Sequence, residues 1–306
     1  MKGNLVSDRP ASISILRILG MVTFGYIVLG NVVALLVVSI LYEGNLVEAM
    51  TSPQDHPELR DILLIAQGVA SLVGLILIPW YYLKFSEQRN LGIFFKNDGK
   101  LLPVSIMLMI ATITFAIAIS PITEWNANWQ FPPWMGAFGE FLGNMEKQAA
   151  EMVKIFTANL TASSFSLALV VIAVLPAIGA ELVFRGLIQT ELHRAYRNPH
   201  VAIWLAAAFF SAFHFQFLGF FPRTLIGAFL GYLYYWSGSL WLPVLAHFFN
   251  NGIQLLLLYL NQKLITSFDV ESTESAPLPA VFFSIAVTVA FLYFIKKNIT
   301  PRITSP

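Results

Sequence analysis

Long apolar stretches separated by short polar segments run along almost the whole chain. A helix crosses a bilayer with roughly 20 predominantly apolar residues, and eight stretches are close to that length. The pattern predicts an all-α fold, a polytopic membrane helix bundle of about eight transmembrane helices in a single integral membrane domain, residues 1–306. The predicted spans are residues 18–42, 62–83, 102–121, 163–190, 200–219, 224–238, 240–261 and 278–295.

The longest loop, residues 122–162, contains one more helical pattern. From Pro133 to Thr157, apolar side chains alternate with charged ones at helical spacing, which is typical of an amphipathic helix at the membrane interface. We expect this 133–157 segment to be a surface helix packed on the bundle. The alternative is a lid or substrate-guiding helix over a site.

Composition supports a membrane protein and excludes several kinds of chemistry. Hydrophobic residues make up 57% of the chain and charged residues only 11%, against about 25% charged residues in soluble domains. The net charge of +1 gives no reason to expect a nucleic-acid partner. Because the chain has no cysteine, disulfides, a thiol nucleophile and cysteine-ligated zinc are excluded.

The distribution of lysine and arginine predicts the orientation in the membrane. With the N-terminus inside, twelve of these residues fall in inner segments and five in outer loops, while Arg185 lies within a span. We therefore expect both termini to be cytoplasmic.

The fourth span contains two charged residues, Glu181 and Arg185. They lie four residues apart and so share one helix face. Charges inside a membrane span are costly and mark a functional site by default, although an ion pair that joins helices is the structural alternative. Pro176 precedes the pair by just over one turn and removes a backbone hydrogen bond, so a kink there would open space for water.

Two later spans carry the remaining candidate residues. In span five, His214 follows Phe210 by one helical turn, and in span seven His247 and Asn251 share one helix face. Imidazole and carboxamide groups can both donate hydrogen bonds to a developing oxyanion, whereas the structural alternative is helix–helix contact. The set predicts a polar cavity among spans four, five and seven, within a motif-bearing core at residues 163–261.

Other intramembrane protease chemistries fit the chain less well. A di-aspartyl site needs two aspartates within spans, and every aspartate here lies in a loop or at a span end. There is no His-Glu-x-x-His zinc helix. A Ser239–His247 dyad would place its serine in a tight turn without a convincing oxyanion partner.

These residues resemble the CAAX-processing and bacteriocin-processing (CPBP or Abi) family of intramembrane proteases. The family pattern is Glu-Glu-x-x-x-Arg, then Phe-x-x-x-His, then His-x-x-x-Asn. The chain has Ala180-Glu181-x-x-x-Arg185, then Phe210-x-x-x-His214, then His247-x-x-x-Asn251, in the expected order. The resemblance covers about residues 165–260 and implies an eight-helix endopeptidase of membrane-associated or lipidated peptides in the bacterial inner (cell) membrane.

The resemblance also implies a role for each position. The first glutamate of the pair and His214 would polarise the attacking water, His247 and Asn251 would hold the oxyanion, and Glu181 and Arg185 would order the site. The family is described both as zinc metalloproteases and as glutamate-dependent enzymes without metal. If a metal is used, His214, His247 and Glu181 are the candidate ligands; otherwise there is no cofactor.

Ala180 departs from this pattern at the first glutamate, since a methyl group can neither accept a proton nor ligate a metal. Glu181 points about 100° away on the helix, so we expect the chain to be nearly inactive. Three explanations compete: a deliberate glutamate-to-alanine exchange, which is favoured, a natural non-catalytic relative, and an enzyme in which Glu181 has taken over. The rival function is a binding or scaffold subunit with a membrane-protein partner, or a bacteriocin-immunity protein; a transporter is a weaker rival.

Overall fold

The computed structural model describes residues 9–52, 56–95, 101–269 and 272–299, and all regular structure in these ranges is helical. Four of the basic residues that were counted for the expected orientation lie outside these ranges: Lys2, Lys96, Lys100 and Arg302. Both ends of the predicted 1–306 domain also lie outside them. The helices are α1 (Ala11–Leu41), α2 (Leu46–Thr51), α3 (Glu58–Ser86), α4 (Leu101–Ala118), α5 (Ser120–Ala127), α6 (Gly136–Thr157), α7 (Ala162–Tyr196), α8 (Pro199–Ala212), α9 (Phe220–Ser237), α10 (Trp241–Gln262) and α11 (Leu278–Asn298).

The all-α membrane bundle is confirmed, and the number of spans is lower than the predicted eight. In the described ranges, six helices are long and apolar enough to cross a membrane, or seven if α4 and α5 form one bent span. The predicted fifth span, 200–219, is replaced by α8, which has only 14 residues. At 1.5 Å per residue α8 is about 21 Å long, which is short of the roughly 30 Å hydrocarbon core.

The predicted third span, 102–121, bends by 44° where α4 meets α5. Pro121 lies in the first turn of α5 and has no N–H to donate to the carbonyl of Ile117, four residues earlier. The Ser120 hydroxyl donates to that carbonyl instead, at 2.8 Å. The proline therefore sets the position of the bend, and the serine satisfies the freed acceptor.

Helix α7 is the central element of the bundle. In the most apolar 18-residue stretch of α7, 56% of the stretch is buried. The corresponding values for the peripheral helices α1 and α11 are 17% and 22%. Helix α7 contacts α3, α8 and α10. Gly179 allows the approach of α3, because a Cβ atom at this position would lie only 2.6 Å from Leu75 Cβ. The helix that carries the candidate glutamate is thus the most enclosed of the six candidate spans in the described ranges.

The predicted amphipathic helix is confirmed as α6, preceded by a short 3-10 turn at Pro133–Met135. Three exposed aromatic side chains lie here: Trp134 in the turn exposes 83% of its surface, and Phe138 and Phe141 in the N-terminal half of α6 expose 60% and 55%. The segment after the helix is held to the bundle, since Arg60 Nη1 donates to the carbonyl oxygens of Ala158 and Asn159 at 2.7 and 3.1 Å. Helix α6 is therefore fixed at its C-terminal end and presents aromatic side chains at the other.

Candidate active site

A cavity of about 1090 Å³ lies beside α7, and four of the six candidate residues line it: Ala180, His214, His247 and Asn251. Helix α7, the loop after α8, and α10 supply them. Glu181 and Arg185 are fully buried (0% exposed) next to this wall and are not among the lining residues. The structure therefore brings the predicted set together in two layers, one facing the cavity and one behind it.

Glu181 is the centre of the buried layer. Its Oε1 atom accepts from Arg185 Nη1 at 3.0 Å and lies 2.7 Å from His247 Nδ1. Glu181 Oε2 and Arg185 Nε are buried without a hydrogen-bond partner among the described residues. One carboxylate oxygen thus joins α7 to α10, and His247 keeps only its Nε2 atom for the cavity.

Arg185 and Gln189 connect α7 to α9 in the same way, one helical turn apart. Arg185 Nη2 donates to the Gly227 carbonyl at 2.9 Å, and Gln189 Nε2 donates to the Gly231 carbonyl at 3.0 Å. The absence of a side chain at Gly231 allows this close contact, because a Cβ atom there would lie 2.8 Å from Gln189 Oε1. Sequence reasoning missed both glycines, although their small-x-x-x-small spacing is the usual signal of close helix approach in membranes.

His214 lies beyond the end of α8 rather than within a transmembrane helix, which corrects the predicted placement. Helix α8 ends at Ala212, and Phe215 has a φ of 53°, in the left-handed region. His214 Nδ1 lies 2.9 Å from the Phe210 carbonyl oxygen. Since a carbonyl oxygen only accepts, Nδ1 carries the proton and Nε2 is free to accept one.

Phe210 is the aromatic centre of this wall. The Arg185 guanidinium carbon lies 4.6 Å from its ring centroid. The rings of His214 and His247 lie 4.9 and 5.8 Å away, both nearly perpendicular to it. Phe210 therefore contacts the buried arginine and both histidines, and its edge-to-face packing helps to fix the two imidazole rings.

Asn251 satisfies a carbonyl that Pro176 leaves free. Pro176 has no N–H to give to the Ile172 carbonyl four residues earlier, and Asn251 Nδ2 donates to that carbonyl at 3.0 Å. Asn250 Nδ2 donates to Asn251 Oδ1, also at 3.0 Å. The Asn251 amide is thus held from both sides and retains one N–H.

The opposite wall of the cavity is neutral, and its polar residues were not singled out from the sequence. Tyr26 and Asn31 of α1 and Gln67 and Ser71 of α3 line it, with Gln67 Nε2 donating to the Tyr26 hydroxyl at 2.9 Å. The i, i+4 spacing of Gln67 and Ser71 in an apolar span was the available signal. Helix α6 adds a third side with Met145, Val153, Phe156 and Thr157.

The described side chains around this cavity do not fit a bound metal ion. Within the described ranges, no three His, Asp or Glu side chains are close enough to hold one. The candidate ligand Glu181 is fully buried, and one of its oxygens is shared by Arg185 and His247. A metal ion bound by His214 and His247 would lack the third protein ligand of a usual catalytic zinc site, because position 180 is an alanine.

Comparison with known proteins matches this part of the chain to one family. Residues 162–253 match the family model "Type II CAAX prenyl endopeptidase Rce1-like", and all six candidate residues lie within that segment. The chain is also 33% identical over 89 residues to "Uncharacterized protein YpbD" of Bacillus subtilis (strain 168). That match covers 28% of this chain and 42%, less than half, of the relative. No solved structure matches.

Proposed function

We propose that this protein is an intramembrane endopeptidase whose hydrolytic step is disabled at position 180, because residues 162–253 match the Rce1-like family model. The observation that carries the proposal is the intact arrangement around Ala180. His214, His247 and Asn251 line one cavity with it, while Glu181 and Arg185 hold this wall from behind. A carboxylate at 180 would complete the set.

His214 is the proposed partner of that carboxylate in activating water. Its Nδ1 proton is committed to the Phe210 carbonyl, so Nε2 can accept the proton of the attacking water and later return it to the leaving amine. With Ala180 in place, His214 would have to act alone. The loss of one positioned acid–base group typically costs roughly 100-fold to 10,000-fold in rate.

Asn251 and His247 are the proposed oxyanion donors. The second N–H of Asn251 is available, because its first is used on Ile172. His247 can donate from Nε2 only as an imidazolium, since its Nδ1 proton is held by Glu181.

Glu181 is the proposed positioning residue rather than a replacement base. It is fully buried, is absent from the cavity wall, and is bound to two partners through one oxygen. These observations favour a disabled enzyme or a non-catalytic relative over an enzyme in which Glu181 has taken over.

Peptide binding without cleavage is the second candidate function, and Ala180 is the observation that favours it. The cavity keeps its full set of hydrogen-bonding groups while the base position is a methyl group. In this case the encoded residue at 180 is alanine, and the protein holds a membrane peptide or a membrane-protein partner.

We place the protein in the cell membrane of a bacterium with both termini cytoplasmic. The six apolar helices of the described ranges support integration in a membrane, and an even number of crossings leaves both termini on the same side. The choice of the cytoplasmic side rests on the lysine and arginine counts over the eight spans that the sequence predicts. Reporter fusions at both termini test it: alkaline phosphatase activity at either end would contradict the orientation.

The cellular experiment compares this chain with its Ala180→Glu variant in cells that lack the native protein. New peptide ends in the membrane proteome that appear only with the glutamate would support a protease and identify its substrates. Identical profiles from two folded and abundant proteins would instead support binding without cleavage. A chelator added to isolated membranes distinguishes a metal-dependent Ala180→Glu enzyme from a metal-free one.

A further inference from the structure

Arg223 gives the cavity a positive charge that the proposed chemistry does not use. Among the described residues that line the cavity, it is the one Lys, Arg, Asp or Glu; the titratable groups beside it are His214 and His247. No described acidic side chain forms an ion pair with Arg223 within 4.0 Å. Glu146 of α6 is nearby, but its Oε1 atom accepts from the Leu218 N–H at 2.7 Å.

The guanidinium group is held in place by neutral acceptors. Arg223 Nη1 donates to the Gln216 carbonyl oxygen and Nη2 donates to Gln216 Oε1, both at 2.9 Å. A guanidinium group has five N–H donors in a rigid fork, so these two bonds fix its plane and leave donors for a ligand. This geometry suits a carboxylate, which takes two parallel hydrogen bonds from such a fork.

We propose that Arg223 binds the C-terminal carboxylate of the peptide that occupies the cavity. A carboxylate in a largely apolar cavity is costly unless it is paired and hydrogen-bonded, and Arg223 is the cavity group that can pair with it. The neutral polar wall of α1 and α3 suits an uncharged peptide backbone. This inference rests on the proposed function and deepens it: Arg223 fixes the register of the bound peptide, and so the peptide bond that lies beside His214.

The structural alternative is that Arg223 only attaches the loop that carries His214 to α9. Both of its defined bonds go to Gln216, two residues after His214. In that case, loss of Arg223 would disturb the cavity in general, and its effect would not depend on the charge of the ligand.

A binding experiment distinguishes a carboxylate-binding role of Arg223 from a purely structural one. This chain is suited to it, because Ala180 prevents peptide hydrolysis under the proposed function. The probe is the dansylated peptide Leu-Ala-Leu-Ala-Leu-Ala, prepared with a free C-terminal carboxylate and as the C-terminal amide. Fluorescence titration measures Kd for both forms with the full chain in phosphatidylcholine nanodiscs, in which no lipid carries net negative charge. The variants are Arg223→Gln, and Lys263→Gln as the matched control that removes an exposed positive charge outside the cavity lining.

We expect the parent and Lys263→Gln proteins to bind the acid about tenfold more tightly than the amide, as one charge-assisted bidentate pair provides. Arg223→Gln should bind both forms with the affinity of the amide. Equal affinity of the parent for acid and amide would overturn the inference, as would an Arg223→Gln effect equal on both forms. Failure of the folded parent to bind either peptide would instead contradict the proposed function itself.

The source of the negative charge is tested by exchanging the lipid for phosphatidylglycerol. A preference for the acid that persists in this lipid supports the peptide carboxylate. If the preference disappears while amide binding is unchanged, the site is a phosphate headgroup site, and the inference is overturned.

Discussion

The two long walls of the cavity are built in different ways. The wall formed by α7, the loop after α8, and α10 carries charged and titratable groups, and each is fixed by a bond to another helix or to the backbone. The wall formed by α1 and α3 carries neutral side chains such as Asn31 and Gln67, and α1 is a peripheral helix of the bundle. Chemistry that needs fixed distances is supported by the first wall, while the second suits binding that tolerates different side chains.

The largest expected effect comes from removing the charge at the centre of the fixed wall. Glu181→Ala leaves Arg185 buried without its carboxylate, which typically costs about 3–5 kcal/mol. Thermal unfolding in detergent should show a large drop in Tm or loss of folded protein. The double variant Glu181→Leu with Arg185→Met, which removes both charges, should recover much of that loss. A single variant as stable as the parent would show that the pair does not hold the wall.

The next effect concerns catalysis on the same wall. In the Ala180→Glu background, His214→Ala should lower peptide hydrolysis roughly 100-fold or more, because Nε2 of His214 is the proposed proton acceptor. The fold should be retained, since His214 lies after the end of α8. The matched control is His200→Ala, an exposed histidine bonded to Tyr232. Full activity of the His214→Ala protein would remove His214 from the mechanism.

A smaller effect tests how closely the two walls approach each other. Gly179→Ala would place a methyl group 2.6 Å from Leu75 Cβ, and such overpacking costs about 1–3 kcal/mol. Gly143→Ala in α6 is the control, because nothing lies within 4 Å of its added methyl. Thermal unfolding should show a lower Tm for the first variant and no loss for the second. Equal Tm values would mean that α3 is not packed against α7 at Gly179.

The smallest effect is expected on the neutral wall. Gln67→Leu removes a hydrogen bond to the Tyr26 hydroxyl, worth about 0.5–1.5 kcal/mol. In the Ala180→Glu background it should raise KM for peptides several-fold and leave kcat near the parent value. Ser39→Ala, which removes an exposed bond within α1, is the control. A large drop in kcat would contradict the distinction between a catalytic and a binding wall.

The sequence predicted which residues meet better than it predicted how they are connected. The i, i+4 pairs Glu181–Arg185 and His247–Asn251 needed only helical geometry, and each pair shares a helix face as expected. The partner of Asn251 is a carbonyl on α7 that Pro176 leaves free. That contact depends on the register between two distant helices, which no local pattern encodes.

The predicted fifth span and the predicted loop position of Arg223 both differ from the structure, for similar physical reasons. Apolar periodicity continues from α8 through Phe213, Phe215 and Phe217, so the pattern predicted a longer span than the helix that forms. Arg223 was counted among the charges of the outer loops, and only tertiary packing places it on the cavity wall. Aromatic runs and single charges near a span end are compatible with both arrangements, so composition alone does not decide between them.

The central claim is that this cavity is a hydrolytic site that lacks one carboxylate. The most direct measurement compares purified Ala180→Glu and Ala180→Gln proteins with the parent, using the peptide that the cellular experiment identifies. Glutamine matches glutamate in shape but is not a base, so the account predicts hydrolysis at least roughly 100-fold above the parent for Ala180→Glu only. Equal rates for the two variants, or no hydrolysis by a folded Ala180→Glu protein, would contradict it.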